Sequence, residues 1–238
     1  MILTAFAAGS KGTVKATASS VLLPGAAAFY GLVGIEHLLR LAIAESRDWY
    51  YGDNSYFDST RAKFYRFTKG WFQTVKPKIA PDYAKLKVLG ISPKPWKKDG
   101  RYIVVVEQGA HFLDLCGAGR GWLDSALVEI GRVTDRPVRV RRWTRDKAKA
   151  AATLHADLND AWALVTHMSA AANEALLAGV PVFTSGRCSA TPLASGALAN
   201  LDRPLYPDGR EEWAARLVAS QWTIDEIRAG IAWGRLNG

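Results

Sequence analysis

The sequence contains few cysteines, and the two it has, Cys116 and Cys188, lie far apart and without metal-ligand spacing. This scarcity argues against a disulfide framework and favours two reduced thiols. The sequence also lacks any run of about 18 or more apolar residues, so no membrane-spanning helix is expected. No basic residue precedes the apolar N-terminal stretch, which therefore resembles a buried strand more than a secretory signal. These absences predict a cytoplasmic protein.

Acidic residues are nearly absent from one segment of a chain whose net charge is +9. Residues 61–98, which we call the basic segment, contain eleven lysines and arginines and a single acidic residue, Asp82. The rest of the chain holds 20 basic and 21 acidic residues, so the whole basic excess lies in this segment. Such a block is typical of a contact surface for a polyanion, and a solvated basic linker between domains is the alternative.

Strand-like and helix-like apolar patterns alternate on both sides of the basic segment, in a chain of 238 residues that suits one large domain or two small ones. This alternation predicts crossover units and parallel sheets. We therefore predict an α/β protein with two Rossmann-like domains, residues 1–98 and 99–238. The predicted strands are 2–7, 26–32, 49–51, 102–106, 137–143, 161–166 and 181–184. The predicted helices are 35–43, 122–130, 146–156, 170–178, 210–219 and 223–232, the last beginning with a capping box.

The most informative segment is residues 161–183, AWALVTHMSAAANEALLAGVPVF. A buried strand ends at Thr166, a polar turn containing His167 and Ser169 follows, and an alanine-rich helix then ends at a glycine. A helix start after a parallel strand offers free N–H groups to a diphosphate, and Glu174, one turn further, is placed to reach a ribose diol. A plain strand–helix–strand crossover, with Ser169 as N-cap and Glu174 on the surface, is the alternative.

Residues 173–182, NEALLAGVPV, resemble the C-terminal nucleotide-binding domain of GT-B glycosyltransferases, where a glutamate, an alanine and an apolar stretch precede Gly-x-Pro-Val. The resemblance implies two Rossmann-like domains whose parallel sheets face a cleft, and a nucleotide-sugar donor, with a UDP-sugar expected first. It implies that Glu174 contacts the donor ribose. It also implies that Thr166, His167 and Ser169 contact the donor phosphates or sugar. A divalent metal is not required.

A second resemblance spans most of the chain. The runs DWYYGDNSYF at 48–57, KFYRFT at 63–68 and SQWT at 220–223 are similar to those of small phage-encoded glycosyltransferases of DNA hypermodification. This resemblance implies transfer of a hexose or pentose to a hydroxymethylated pyrimidine in DNA. It places the protein in the cytoplasm of an infected bacterium.

Three further residues are candidates for a functional site. Asp53 follows a predicted strand, where open α/β sheets place ligands, and is the candidate base that activates an acceptor hydroxyl. An Asx turn formed by Asp53 and Asn54 is the alternative. His111, in the loop after strand 102–106, is a candidate contact for a phosphate or the donor sugar. Lys11 is a candidate contact for an acceptor phosphate, and a purely structural turn is the alternative there.

The basic segment is the predicted acceptor surface if the acceptor is DNA, because lysine and arginine neutralise phosphates. We assign this role to Lys63, Arg66 and Lys69. Neighbouring aromatic side chains either stack on a base that leaves the duplex or point into the core. The sequence thus predicts a DNA glycosyltransferase. Two alternatives stay open: a glycosyltransferase acting on a glycan or lipid-linked acceptor, and a non-catalytic DNA-binding protein on a transferase-like fold.

Overall fold

The computed structural model describes residues 1–13, 21–32, 34–57, 63–75, 79–144 and 147–238, with the backbone alone for 147–152. The strands are β1 (Ala27–Tyr30), β2 (Trp49–Asn54), β3 (Tyr65–Lys69), β4 (Tyr102–Val106), β5 (Val138–Arg141), β6 (Ala161–Thr166) and β7 (Val182–Thr184). The α-helices are α1 (Ile2–Gly9), α2 (Glu36–Ala44), α3 (Tyr83–Val88), α4 (Ala110–Leu115), α5 (Trp122–Val133), α6 (Lys147–Leu158), α7 (Ala171–Leu177), α8 (Arg210–Ala219), α9 (Ile224–Arg228) and α10 (Ile231–Asn237). Short 3₁₀ helices cover Thr191–Leu193 and Leu198–Asn200.

The chain divides into two compact units, residues 1–90 with 213–238 and residues 91–212. The domains predicted from the sequence, 1–98 and 99–238, differ from these units mainly at the C-terminus. Tyr65 and Trp222 explain the difference, because each donates its backbone N–H to the carbonyl oxygen of the other, at 2.8 and 2.7 Å. Pairing between residues so far apart in sequence leaves no trace in local periodicity.

The sheet of the first unit has the strand order β1-β2-β3. β1 and β2 pair in parallel, as the predicted crossover requires, but β2 and β3 pair antiparallel. The prediction of a parallel sheet is therefore wrong for β3. Residues 55–64, which join β2 to β3, are too few for a helical crossover, which takes a dozen residues or more.

The N-terminal segment is a helix, so the prediction of a strand at 2–7 is wrong. Ile2, Ala5 and Phe6 are buried in α1, and their spacing of three and four is helical. A short apolar run does not distinguish a strand from a helix, and the alanines of this run favour the helix. Phe6 stacks on Phe67 of β3, with ring centroids 4.1 Å apart, and so attaches α1 to the sheet.

The C-terminal helix predicted at 223–232 is divided into two. Its capping box is confirmed, because the Thr223 hydroxyl accepts from the Glu226 N–H and the Glu226 carboxylate accepts from the Thr223 N–H. The chain then turns at Gly230, whose φ of 84° is left-handed. This turn separates α9 from α10, and both pack against α1.

The second unit contains a parallel four-stranded sheet with the order β5-β4-β6-β7. The strands predicted at 102–106 and 161–166 are confirmed, and β5 is an exposed edge strand as its alternating pattern predicts. Helix α5 packs on one face of the sheet, against Ile103, Val105 and Val165. Right-handed crossovers assign α6 and α7 to the opposite face. No helix in the described part of the chain is long and apolar enough to cross a membrane.

Candidate functional site

The candidate site lies at the carboxyl ends of β4 and β6. From β4 the chain passes to β5 on one side, and from β6 it passes to β7 on the other, so the direction of winding reverses between β4 and β6. Open parallel sheets bind ligands in the crevice at such a reversal. The two strand ends are joined here, because the Met168 N–H donates to the Gln108 side-chain carbonyl at 2.7 Å.

Thr166 and Ser169 shape the turn after β6. The buried Thr166 hydroxyl donates to the Val106 carbonyl at 2.8 Å and also lies 3.4 Å from the Ser169 N–H. Since it is already bonded within the protein, Thr166 positions the turn and does not present its hydroxyl to a ligand. The predicted N-cap is displaced by one residue: Ala170 occupies that position, and the Ser169 hydroxyl accepts from the Ala171 N–H at 3.3 Å.

His167 belongs to a hydrogen-bonded chain of three side chains. Its Nδ1 lies 2.9 Å from the Ser185 hydroxyl, which in turn accepts from the indole N–H of Trp122 at 2.8 Å. Because an indole nitrogen only donates, the Ser185 hydroxyl is free to donate its proton to Nδ1. In the tautomer with the proton on Nε2, Nδ1 accepts from this hydroxyl and Nε2 is left as a donor. Burial lowers the pKa of His167, which favours the neutral ring.

The loop after β7 packs closely against the same imidazole. Gly186 donates its N–H to the His167 carbonyl at 2.9 Å. A Cβ at position 186 would lie 2.6 Å from Cε1 of His167, so a side chain there would displace the ring. Glycine at this position is therefore needed for the arrangement of His167, Ser185 and Trp122.

A cavity of about 110 Å³ opens beside this chain of side chains, between α5 and the ends of β6 and β7. Its floor is apolar and its rim carries hydroxyl groups and one carboxylate. The lining residues are Trp122, Ser125, Ala126, Glu129, Val165, Thr166, Phe183, Thr184, Ser185, Gly196 and Leu198. By a measure in which one water occupies about 10–15 Å³, the cavity has room for several waters, and therefore for at least one small ring.

Sequence reasoning names Thr166, His167 and Ser169 but misses Gln108 and Ser185. Ser185 directly follows a predicted strand, at the edge of the sheet where the other candidates lie. From that position Ser185 can be predicted as a site residue, because the carboxyl ends of parallel strands meet at one edge of the sheet. Trp122 and Gly186 give no comparable signal, since only the strand order brings them to His167.

Glu174 and His111 lie near the surface, outside the hydrogen-bonded chain. The Glu174 carboxylate faces His155 of α6 at 3.6 Å, and its side chain is about one-third exposed. His111 is exposed in the first turn of α4. Both residues are at least partly exposed to solvent, and neither lines the cavity.

In the first unit, Asp53 is already bonded through both carboxylate oxygens. Oδ2 accepts from Arg66 at 2.8 Å and Oδ1 accepts from the Asn54 N–H at 2.8 Å. Asp53 and Asn54 both lie in β2, and the N–H that Asp53 accepts from is one residue on, whereas an Asx turn bonds two residues on, so the general-base role stays a prediction. Arg66 itself is 5% exposed and also donates to the Asn54 carbonyl at 2.6 Å. Its predicted contact with DNA phosphates is therefore not supported, because its guanidinium is buried within the protein.

The other predicted DNA contacts are exposed. Lys63 lies over the Tyr65 ring at 5.7 Å, and Lys69 pairs with Asp48 at 2.9 Å. Lys11 is exposed too, but it follows helix α1 and not a strand. Arg61 lies outside the described residues.

Two further lysines of the basic segment serve the fold, because Lys85 donates to the Gln221 carbonyl at 2.6 Å and Lys97 to the Leu158 carbonyl at 2.7 Å. Tyr65 and Phe67 are two of the aromatic residues in this segment, and their rings point into the core, which was one of the two alternatives for them. The exposed charge of the basic segment is consequently smaller than its composition indicates.

Metal and thiol chemistry have no evident centre among the residues that the structure describes. No group of three or more histidine, cysteine, aspartate or glutamate side chains there is arranged to hold a metal. Both cysteines are free thiols, and burial raises the pKa of Cys116 to about 12. At neutral pH Cys116 is therefore protonated and a poor nucleophile.

His167 should make the protein less stable in mild acid. Its pKa in the folded state lies below the ordinary value of 6.5, so the unfolded chain takes up the proton first as the pH falls. Its contribution to stability is complete above pH 6.5 and declines as the pH falls toward the folded pKa. We expect the urea midpoint of the wild type to fall more between pH 7.5 and 5.5 than that of His167→Asn, which keeps an acceptor for Ser185. The exposed His37 supplies the control His37→Asn, which should behave as wild type. Equal pH dependence in wild type and His167→Asn would contradict this assignment.

No protein-family model matches the chain, and no curated protein matches it.

Proposed function

We propose that residues 91–212 bind the nucleotide-sugar donor of a glycosyltransferase at the carboxyl ends of β4 and β6. The observation that carries this proposal is the reversal of strand order between β4 and β6, with Gln108, His167 and Ser185 converging at that edge beside a cavity. We assign the ring proton of His167 to Nε2, which has no hydrogen-bond partner in the described residues. It can donate to a phosphate or sugar oxygen without adding a charge.

The likeness of residues 173–182 to GT-B glycosyltransferases supports the same assignment and attributes ribose binding to Glu174. The carboxylate of Glu174 is partly exposed on α7, directly after the turn that contains His167 and Ser169. We propose a UDP-sugar as donor, with Ser169 and His111 as further candidate contacts. The proposed reaction transfers the sugar to the hydroxyl of a modified base.

Hydroxymethylated pyrimidine in DNA is the acceptor we propose. The net charge of +9 favours a polyanion, and Lys63, Lys69 and Lys87 are exposed lysines of the basic segment that belong to the first unit. Because Arg66, Lys85 and Lys97 are bonded within the fold, these exposed lysines carry the proposed DNA contact.

Donor binding is tested by thermal unfolding with a panel of sugar nucleotides. We expect one of them to raise the melting temperature of the wild type, and Glu174→Ala to weaken its binding about 10- to 150-fold, since a hydrogen bond to a charged group contributes about 1.5–3 kcal/mol. His155→Ala is the matched control, because it removes the partner of Glu174 and keeps the carboxylate. A protein that no sugar nucleotide stabilises would refute the donor site.

The acceptor is tested with a radiolabelled donor and three acceptors: hydroxymethylated DNA, unmodified DNA of the same sequence, and a glycan mixture. Label that enters only the hydroxymethylated DNA supports the proposal. Label that enters the glycans alone would identify the second class of transferase. Salt-dependent DNA binding with neither transfer nor hydrolysis of the donor would identify a non-catalytic DNA-binding protein.

A further inference from the structure

One face of α5 contributes a continuous wall of the cavity. Trp122, Ser125, Ala126 and Glu129 are spaced by three and four residues, so they lie along one side of the helix, and all of them line the cavity. The opposite wall is formed by the ends of β6 and β7. A carboxylate and a hydroxyl one helical turn apart therefore face the same small space.

Most polar groups of the cavity are already bonded within the protein. The Thr166 hydroxyl bonds to Val106, and the Ser185 hydroxyl bonds to Trp122 and His167. Ser125 and Glu129 differ, because neither side chain makes a hydrogen bond or ion pair with any other described residue. Both remain exposed to solvent. They are the polar groups of the cavity that are available to a ligand.

The apolar part of the cavity narrows the choice of ligand. Val165 and Phe183 are buried at its floor, and the Trp122 ring lies at its side. A ligand that fits must present an apolar face to this surface and hydroxyl groups to the Glu129 carboxylate. A sugar ring has this combination, since its C–H groups form an apolar face and two adjacent hydroxyls can donate to the two oxygens of one carboxylate.

We infer that this cavity binds one monosaccharide ring, with the Glu129 carboxylate accepting hydrogen bonds from two adjacent hydroxyls and Ser125 bonding to a third polar atom. The inference rests on the proposed function in one respect: it assigns the transferred sugar of the donor to this cavity. The ribose of the nucleotide carries the same diol and is the other source of this chemistry.

Calorimetric titration of the full chain with UDP and with the stabilising UDP-sugar separates these two sources. If the cavity holds the transferred sugar, Glu129→Gln weakens the UDP-sugar about tenfold or more and leaves UDP unchanged. Equal weakening of both ligands assigns the cavity to the ribose and overturns the assignment to the transferred sugar. No effect on either ligand overturns the inference entirely.

Asp124→Asn is the matched control, because Asp124 is an exposed carboxylate on the same helix that does not line the cavity. It should leave both affinities unchanged. Ser125→Ala gives an independent variant with a smaller expected loss. A donor whose sugar lacks one of the adjacent hydroxyls should bind the wild type about as weakly as the complete donor binds Glu129→Gln.

A second measurement keeps the inference distinguishable from the proposed function if no nucleotide binds. Saturation-transfer NMR with free hexoses at millimolar concentration detects weak binding of a sugar ring directly. A signal that is present in the wild type and lost in Glu129→Gln supports the sugar site while refuting the nucleotide donor. No signal from any hexose, together with no nucleotide binding, overturns both.

Discussion

Gly179→Ala is expected to lower the free energy of unfolding by about 2–5 kcal/mol. Gly179 has a φ of +78°, a left-handed conformation that costs an L-residue about 1–2 kcal/mol. A Cβ at this position would also lie 2.0 Å from the Pro95 carbonyl oxygen. Relieving such an overlap requires a backbone shift, for which overpacking costs of about 1–3 kcal/mol are typical. The shift would also strain the hydrogen bond that Lys97 donates to the Gly179 carbonyl at 2.8 Å.

Chemical denaturation of the wild type, Gly179→Ala and Gly117→Ala measures the two contributions separately. Gly117 has almost the same φ, +77°, but apart from its two chain neighbours no atom lies within 4 Å of the place that a Cβ would occupy there. Gly117→Ala should therefore lose only the conformational part, about 1–2 kcal/mol. If the two variants lost the same free energy of unfolding, the close contact between Pro95 and Gly179 would not contribute to the effect of Gly179→Ala.

Arg66→Ala is expected to lower the free energy of unfolding of the first unit by about 2–4 kcal/mol. The substitution removes the ion pair with Asp53 and the hydrogen bond to the Asn54 carbonyl. It also leaves a void next to the Tyr56 ring, over which the guanidinium lies at 5.0 Å. Removing one member of a buried ion pair costs about 3–5 kcal/mol, and the partial exposure of Asp53 reduces that figure.

Lys63→Ala is the comparison that separates a structural cation from a DNA-binding one. Lys63 is exposed, so its loss should change stability by less than about 0.5 kcal/mol. It should reduce the salt dependence of DNA binding by about one unit if Lys63 contacts a phosphate. If Arg66→Ala instead left stability unchanged and reduced this salt dependence, the assignment of Arg66 to the interior would be wrong.

Local pattern is sufficient for the sheet of the second unit. Residues 102–106 and 161–166 are continuous apolar runs, as expected for strands covered on both faces, and both strands occur where the runs predict. The first unit is less predictable. The apolar run at Ile2 is too short for its pattern to separate a strand from a helix, although its alanines favour the helix that the structure shows.

The candidate site is predictable only where it is contiguous in sequence. Thr166, His167 and Ser169 follow one strand, so their proximity can be inferred directly. Their partners Gln108 and Ser185 come from neighbouring strands, and the strand order that brings them together is set by tertiary packing. For Arg66 the prediction from the sequence is wrong. Its place in the basic segment predicts an exposed side chain, but hydrogen bonds to Asp53 and Asn54 hold the guanidinium inside the protein.

The pairing of Tyr65 with Trp222 also determines which of the two units can fold first during synthesis. A ribosome releases the first strands of the first unit early, but their partner at Trp222 follows residues 91–212 in the chain and emerges after them. Residues 91–212 are complete before that point, so the second unit can fold while the first still lacks its closing segment. The first unit is therefore completed after the second, because residues 213–238 follow the whole of the second unit in the chain.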